Sequence, residues 1–209
     1  MIHVAQIIDT LRIGGAEKLQ ITFAAAAKER RDIKLTVIVL EDRKTPFFEE
    51  LKAMGVDLHV FAGAKLIDPR RIWRLVQFAR KQRFDVIHAH LGTANMLASL
   101  VGRLTGIPVV ATMHNTRKDR YDHPFLETMA LRYGASRVIA VGQAVAESYR
   151  PRLGSKKIDV IPNAVQPIAE YSQVEKDAAR MELVGSLDRP LLIALLKYGC
   201  GLPFHRIQR

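Results

Sequence analysis

The sequence predicts an α/β fold, a doubly wound parallel sheet of the Rossmann-like kind. Short β-branched runs alternate with helical patterns up to about residue 162, and that alternation yields right-handed βαβ crossovers. One of these runs, Leu35–Leu40 (LTVIVL), is almost continuously apolar, as a strand covered on both faces must be. The punctuation between the runs is that of helix starts and stops: Asp68-Pro69 opens one helix, and Gly55, Gly106 and Gly134 close others.

Taken in order, Val4–Ile8 reads as the first strand and Ala16–Arg30 as an Ala-rich helix. Leu35–Leu40 is the second strand. Pro46–Met54 is a helix with proline in its first turn, stopped by Gly55, and Asp57–Phe61 is the next strand. Pro69–Gln82 is a helix with Asp68 as N-cap. Ile72, Leu75, Val76 and Ala79 fall on the stripe expected to face the sheet, with Arg70, Arg74 and Lys81 elsewhere around the helix. Val86–Ala89 is a strand, Ala94–Leu104 a helix ended by Gly106, and Ile107–Met113 a strand. A polar loop, His114–His123, leads to a helix at Phe125–Tyr133. Val138–Val141, Ala144–Tyr149 and Ile158–Ile161 complete the pattern as strand, helix and strand. Residues 1–162 thus form one domain, 163–171 a linker containing Pro167, and 172–209 begin something further. That last stretch holds one helix at Val174–Leu183 and one strand at Leu191–Leu196, with an edge expected to self-associate.

At 209 residues the chain can bury a core without disulfide staples, and its single cysteine, Cys200, has no internal partner, as suits a reducing, cytoplasmic setting. No apolar run approaches the ~20 residues of a membrane span. The net charge is +11, and all of it sits in residues 65–157, with 17 basic against 6 acidic residues; the flanking segments are each neutral. Charge confined to one stretch points to an anionic partner. The basic helix around Trp73 suits an anionic membrane surface on the cytoplasmic side, or plain solvation. No zinc-finger spacing or RNA-binding motif is present, so nucleic acid is not the expected partner.

Open parallel sheets bind ligands beyond the C-terminal ends of their strands. At the first such end, DTLRIGGAEKL, Gly14 and Gly15 precede a helix N-terminus and suit a phosphate, or form a plain tight turn. The pattern is not GxGxxG, so a nicotinamide dehydrogenase fits poorly even though Glu41 and Asp42 follow the second strand. In DVIHAH, His88 and His90 share one face of a strand, with His90 nearer the ligand end. His114 and Asn115 follow the next strand, so His90 and His114 should lie close together. Neither HExxH nor helically spaced carboxylates accompany them, so no metal is expected. Arg117, Lys118 and Arg120 place a basic cluster on the loop after His114.

In this order and spacing, IGGAEKL, FDVIHAH, GIPVVATMHN, SRVIAVGQAV and KIDVIPNAV resemble the N-terminal domain of family-4 glycosyltransferases with the GT-B fold, over about residues 2–195. The resemblance implies one of two Rossmann-like halves around a cleft, the acceptor-side half. It also implies transfer of a sugar from a nucleotide-sugar to a lipid-linked or polysaccharide acceptor, with retained configuration and no metal or other cofactor. It assigns Gly14 and Gly15 to the donor pyrophosphate and His114 to the reacting centre. His90, Asn115, Arg117, Lys118 and Arg120 are assigned to the cleft, and Asn163 to the hinge, where Ala164 replaces the usual glycine. After PLLIA the family's pattern gives way to LLKYGCGLPFHRIQR, which reads as a truncated or frame-shifted end and an inactive chain. The rival expectation is a non-catalytic module binding an anionic glycan or membrane surface.

Overall fold

The computed structural model describes residues 1–63, 68–116, 124–164 and 170–188. The chain divides into two compact units, Met1–Gln166 and Pro167–Arg209. The first holds seven strands and six helices among its described residues: β1 (Ile2–Ile8), α1 (Gly15–Glu29), β2 (Ile33–Val39), α2 (Pro46–Ala53), β3 (Asp57–Val60), α3 (Pro69–Gln82) and β4 (Val86–His90), followed by α4 (Gly92–Thr105), β5 (Val109–Met113), α5 (Pro124–Tyr133), β6 (Arg137–Ala140), α6 (Gln143–Leu153) and β7 (Ile158–Val160). All strands pair in parallel, in the order β3-β2-β1-β4-β5-β6-β7.

The chain winds outward from β1 in one direction, then returns to β4 and winds the other way. Right-handed crossovers therefore put α1 and α2 on one face and α3–α6 on the other. The buried side chains follow this division. Ile8, Val37 and Val39 pack with Ile21, Ala24 and Leu51 of α1 and α2. Their neighbours along the strands, Ile7, Ile38, Ile87 and Ala89, pack with Leu75, Ala79, Leu97 and Val101 of α3 and α4. Beyond them Ala111, Val138 and Ala140 meet Leu131, Val145 and Tyr149 of α5 and α6. The reversal between β1 and β4 is the switch point, where such sheets open a crevice.

Local signals account for the element ends. Thr45 caps α2, its hydroxyl accepting from the Phe48 amide at 3.2 Å, and Asp68 caps α3 through the Arg70 and Arg71 amides. Gly106 ends α4 at φ 80°, a conformation glycine adopts without steric penalty.

Several strand ends move by up to two residues, β1, β2 and β5 among them, and three helices also differ from expectation. α6 runs through Pro151 to Leu153 instead of stopping at Tyr149; Leu153 is fully buried, and that burial offsets the one hydrogen bond proline removes. α4 starts at Gly92, two residues before the apolar pattern begins. In α3 the stripe includes Arg71, only 4% exposed, while Ile72 is only partly buried. The second unit contributes α7 (Gln173–Val184), opened by a capping box between Ser172 and Glu175. The expected strand at Leu191–Leu196 and the tail with Cys200 lie outside the described residues.

Candidate functional site

Asp9 follows directly on β1, and its carboxylate reaches across the switch point to the first turn of α4. It accepts the backbone N–H of Thr93 at 3.2 Å and that of Ala94. A helix N-terminus leaves these amides without internal partners and draws negative charge, so the contact is favourable. Burial nevertheless pushes the Asp9 carboxyl up from 3.8 to about 6, against the pull of the two amides and of Arg71. Leu91, the N-cap of α4, has φ 74° and ψ 167°, a combination nearly reserved for glycine that costs ~1–3 kcal/mol. Strain and a buried carboxylate thus coincide at one helix end.

That end borders a cavity of about 190 Å³. Its wall includes Asp9 and Thr10 beyond β1, Asn95 on α4, His114 and Asn115 beyond β5, and Glu127 on α5. Tyr149 of α6 closes the floor, its hydroxyl donating to Glu127 Oε1 at 3.4 Å. Asn95 is 1% exposed; its Nδ2 donates to the Thr112 carbonyl at 3.2 Å, and its Oδ1 has no hydrogen-bond partner among the described residues.

His88 and His90 do stand on one face of β4, their rings 4.2 Å apart. The register His90↔Thr112 brings His90 beside His114, and His90 Nδ1 lies 3.0 Å from His114 Nε2, one nitrogen donating to the other. His88 Nε2 bonds Thr112 Oγ1 at 2.8 Å. Burial lowers all three imidazoles: His88 to about 4, His90 well below its ordinary value, and His114 below it as well. All three are therefore neutral at pH 7. His114 and Asn115 line the cavity, whereas His90 is buried behind His114 and braces it.

Gly14 and Gly15 stand apart from this cavity, at the start of α1. Gly14 has extended backbone that any residue adopts; what its position requires is space, since a Cβ there would lie 2.2 Å from Glu17 Oε2. No side-chain hydrogen bond caps α1, and the buried Glu17 carboxylate lies over its first turn. Glu41 is held by Arg12 and Arg43, and the Arg12 hydrogen bonds keep its carboxyl below the ordinary range. Asn163 is exposed, three residues beyond β7. Arg117, Lys118 and Arg120 lie outside the described residues. No group of three His, Cys, Asp or Glu is placed to hold a metal among the described residues.

Sequence reasoning passed over Asp9, Asn95, Glu127 and Tyr149 as site residues. Asn95 carried a signal: it interrupts the buried apolar series Ala94, Leu97, Ala98, Val101. Buried polar residues on an apolar face call for a partner.

A family model described as Glycosyltransferase Family 4 matches residues 13–167. No curated protein matches. Among solved structures, Anabaena Alr3699/HepE in complex with UDP is similar at a TM-score of 0.71 and 20% identity, over 87% of this chain and 50% of that one. The lipopolysaccharide outer core galactosyltransferase WaaB, in its apo form, is similar at 0.62 and 12%, over 80% and 47%. UDP-GlcNAc 2-epimerase from Neisseria meningitidis, bound to UDP-GlcNAc, is similar at 0.55 and 14%, over 78% and 47%. The chain thus spans about half the length of these structures, and at such identities the likeness concerns the fold, which transferases and epimerases share. The family model discriminates where the fold does not, since it covers most of the sheet domain: the chain belongs to Glycosyltransferase Family 4.

Proposed function

We propose that Met1–Gln166 is the acceptor-side half of a sugar-transfer site that uses a nucleotide-sugar donor and retains configuration at the transferred sugar. The observation carrying this reading is the cavity at the β1–β4 switch point with His114 in its wall. A neutral imidazole adds no charge, and the His90 contact at Nε2 fixes the orientation of His114, whose Nδ1 is buried without a hydrogen-bond partner among the described residues. Held this way, His114 serves as a preorganised polar contact at the reacting centre. The uncapped amides at Gly14 and Gly15 suit the donor pyrophosphate, with Glu17 displaced on binding. HepE binds UDP, which makes a uridine diphosphate sugar the donor to test first.

The acceptor is a glycan or a lipid phosphate, and the same domain meets an anionic membrane surface on its cytoplasmic side. Trp73 is 62% exposed on α3 beside exposed Arg70, Arg74 and Lys81, a pairing of aromatic and cations suited to that role. No helix among the described residues is long and apolar enough to cross a membrane. Asn163 serves as the hinge beyond this half.

Chemical-shift mapping of the labelled chain tests the reading. UDP-glucose should move the Gly14 and Gly15 amides and the His114 ring, whereas NAD should not. The reading fails if UDP-glucose leaves all three unmoved.

A further inference from the structure

The outer face of the α4–α5 pair is apolar and cationic. Leu100 and Leu104 of α4, and Phe125, Met129 and Tyr133 of α5, are all exposed. The α5 residues recur every four positions, so they follow one side of that helix. Where the two helices meet, Met96, Leu100, Met129 and Tyr133 line a groove of about 200 Å³. Arg103 is part of its wall, and Arg132 stacks on Tyr133 with its guanidinium carbon 5.4 Å from the ring centre. No acid offsets these cations locally: Glu127 is the only carboxylate on α3, α4 or α5, and it is buried. Exposed apolar side chains gathered around a groove mark a contact surface, and this one suits an apolar ridge with negative flanks.

α7 has that description, and it buries none of its own residues. Val174, Ala178 and Met181 fall at i, i+4 and i+7 and form one apolar stripe, with Val174 78% and Met181 48% exposed. At 3.6 residues per turn, Asp177 flanks this stripe on one side and Glu175 and Glu182 on the other, while Lys176 and Arg180 fall behind it. Residues 170–188 hold five acidic and two basic residues, the opposite balance to the groove. The lengths agree as well. Met96 to Arg103 and Val174 to Met181 each span two helical turns, about 10 Å. The groove has room for roughly seven water-sized groups at ~30 Å³ each, which accommodates the side chains of Val174 and Met181.

We propose that α7 of one copy of this chain lies in the α4–α5 groove of a second copy, and that the exchange is reciprocal and closes a two-fold dimer. Val174, Ala178 and Met181 enter the groove as the anchors of an amphipathic helix, and the flexible Met96 and Met129 repack around them. Asp177 and Glu182 then lie beside Arg103 and Arg132, exposed pairs that set orientation more than strength. Two cationic groove faces repel each other, so the groove takes the acidic helix and not its own counterpart. A lipid surface is flat and spans a groove without filling it. This assembly is independent of the sugar-transfer reading, since it uses no residue of the switch-point cavity or of the α1 N-terminus.

Sedimentation equilibrium of the full chain tests this. Two short helix contacts make a small interface, so the chain should pass from monomer to dimer between about 20 µM and about 500 µM. Arg103→Glu combined with Arg132→Glu gives a copy whose groove repels the acidic helix. Asp177→Lys combined with Glu182→Lys gives a copy whose helix repels the basic groove. Each alone should dimerise about tenfold more weakly than the parent. Mixed in equal amounts, the two should dimerise as the parent does, because every groove then meets a helix of opposite sign, and that recovery shows that both are folded. Met181→Gln, at an exposed position that leaves the fold intact, should weaken the dimer about fivefold. A parent chain that stays monomeric overturns the proposal. Dimerisation that survives both charge reversals and Met181→Gln also overturns it, and points to pairing through a sheet edge. So does a mixture that fails to recover while each variant keeps the parent's circular dichroism spectrum. Vesicles of phosphatidylglycerol provide the last arm: binding lost on reversal of Arg103 and Arg132, with no dimer in solution, would overturn the exchange and assign the groove to lipid.

Discussion

Asp9→Asn offers a direct measurement of how unfavourably that carboxylate is held. Its carboxyl rises from 3.8 to about 6 on folding, chiefly through burial. At ~1.4 kcal/mol for each tenfold change, ionised Asp9 costs the folded chain about 3 kcal/mol at neutral pH. The sign follows from proton counting. Between the two values the folded state holds the proton more tightly, so the stability Asp9 contributes is present at low pH and lost as pH rises through about 6. Integrating the linkage, about 2 kcal/mol of that loss falls between about pH 4.5 and about pH 7.5. The charged and polar groups facing Asp9 are Arg71, the α4 amides, the Thr93 hydroxyl and, across the cavity, His114 and Glu127. Urea titrations of the parent chain and of Asp9→Asn should be run over that range. The difference between them cancels the titration of every group unaffected by the substitution, the buried histidines included. It should move in the variant's favour by about 2 kcal/mol on going from acid to neutral pH, whatever offset the altered helix cap adds. Parallel curves would refute the argument, because Asp9 would then carry no burial penalty. A carboxylate kept at such a cost, beside a strained Leu91, is the stability–function trade expected of a binding site.

Two further outcomes follow from the same structure. His88, His90, His114 and His3 are all lowered by burial, so the stability they contribute is present above about pH 6.5 and is lost as pH falls. His88 alone, at about 4, accounts for up to about 3 kcal/mol of this. The urea midpoint should therefore drop on acidification despite the opposite trend of Asp9, and His88→Gln should flatten the profile; an unchanged midpoint at about pH 4.5 contradicts this. Gly102→Ala places a Cβ 2.3 Å from Val109 Cγ2 and 2.8 Å from the Ile107 carbonyl, which should destabilise the chain by ~1–3 kcal/mol in thermal melts, and a variant as stable as the parent would show that the α4–β5 contact yields freely.

The strand and helix sequence was legible because each element carries its own short-range signal. Alternation, a 3.6-residue stripe, a capping side chain or a terminating glycine all act over a few residues. The shared face of His88 and His90 was legible for the same reason, being a consequence of period two. Pro151 misled because a local rule was overridden by burial of Leu153 farther along the helix. Arg71 sits where a helical stripe admits it only if a carboxylate lies nearby, and Asp9 is 62 positions away in the sequence.

By itself the sequence determined the doubly wound α/β class, the family, and the approach of His90 to His114. The tertiary structure alone decided the chemistry of the cavity. Asp9 meets the amides of Thr93 and Ala94, more than 80 residues on, because β1 and β4 become neighbours when the winding reverses. Asn95 gains the Thr112 carbonyl for its Nδ2, and its Oδ1 is cut off from water, only when α4 settles against β5. Such contacts have no local signature, because sheet order, set by the packing of whole elements, brings together groups that the chain keeps far apart.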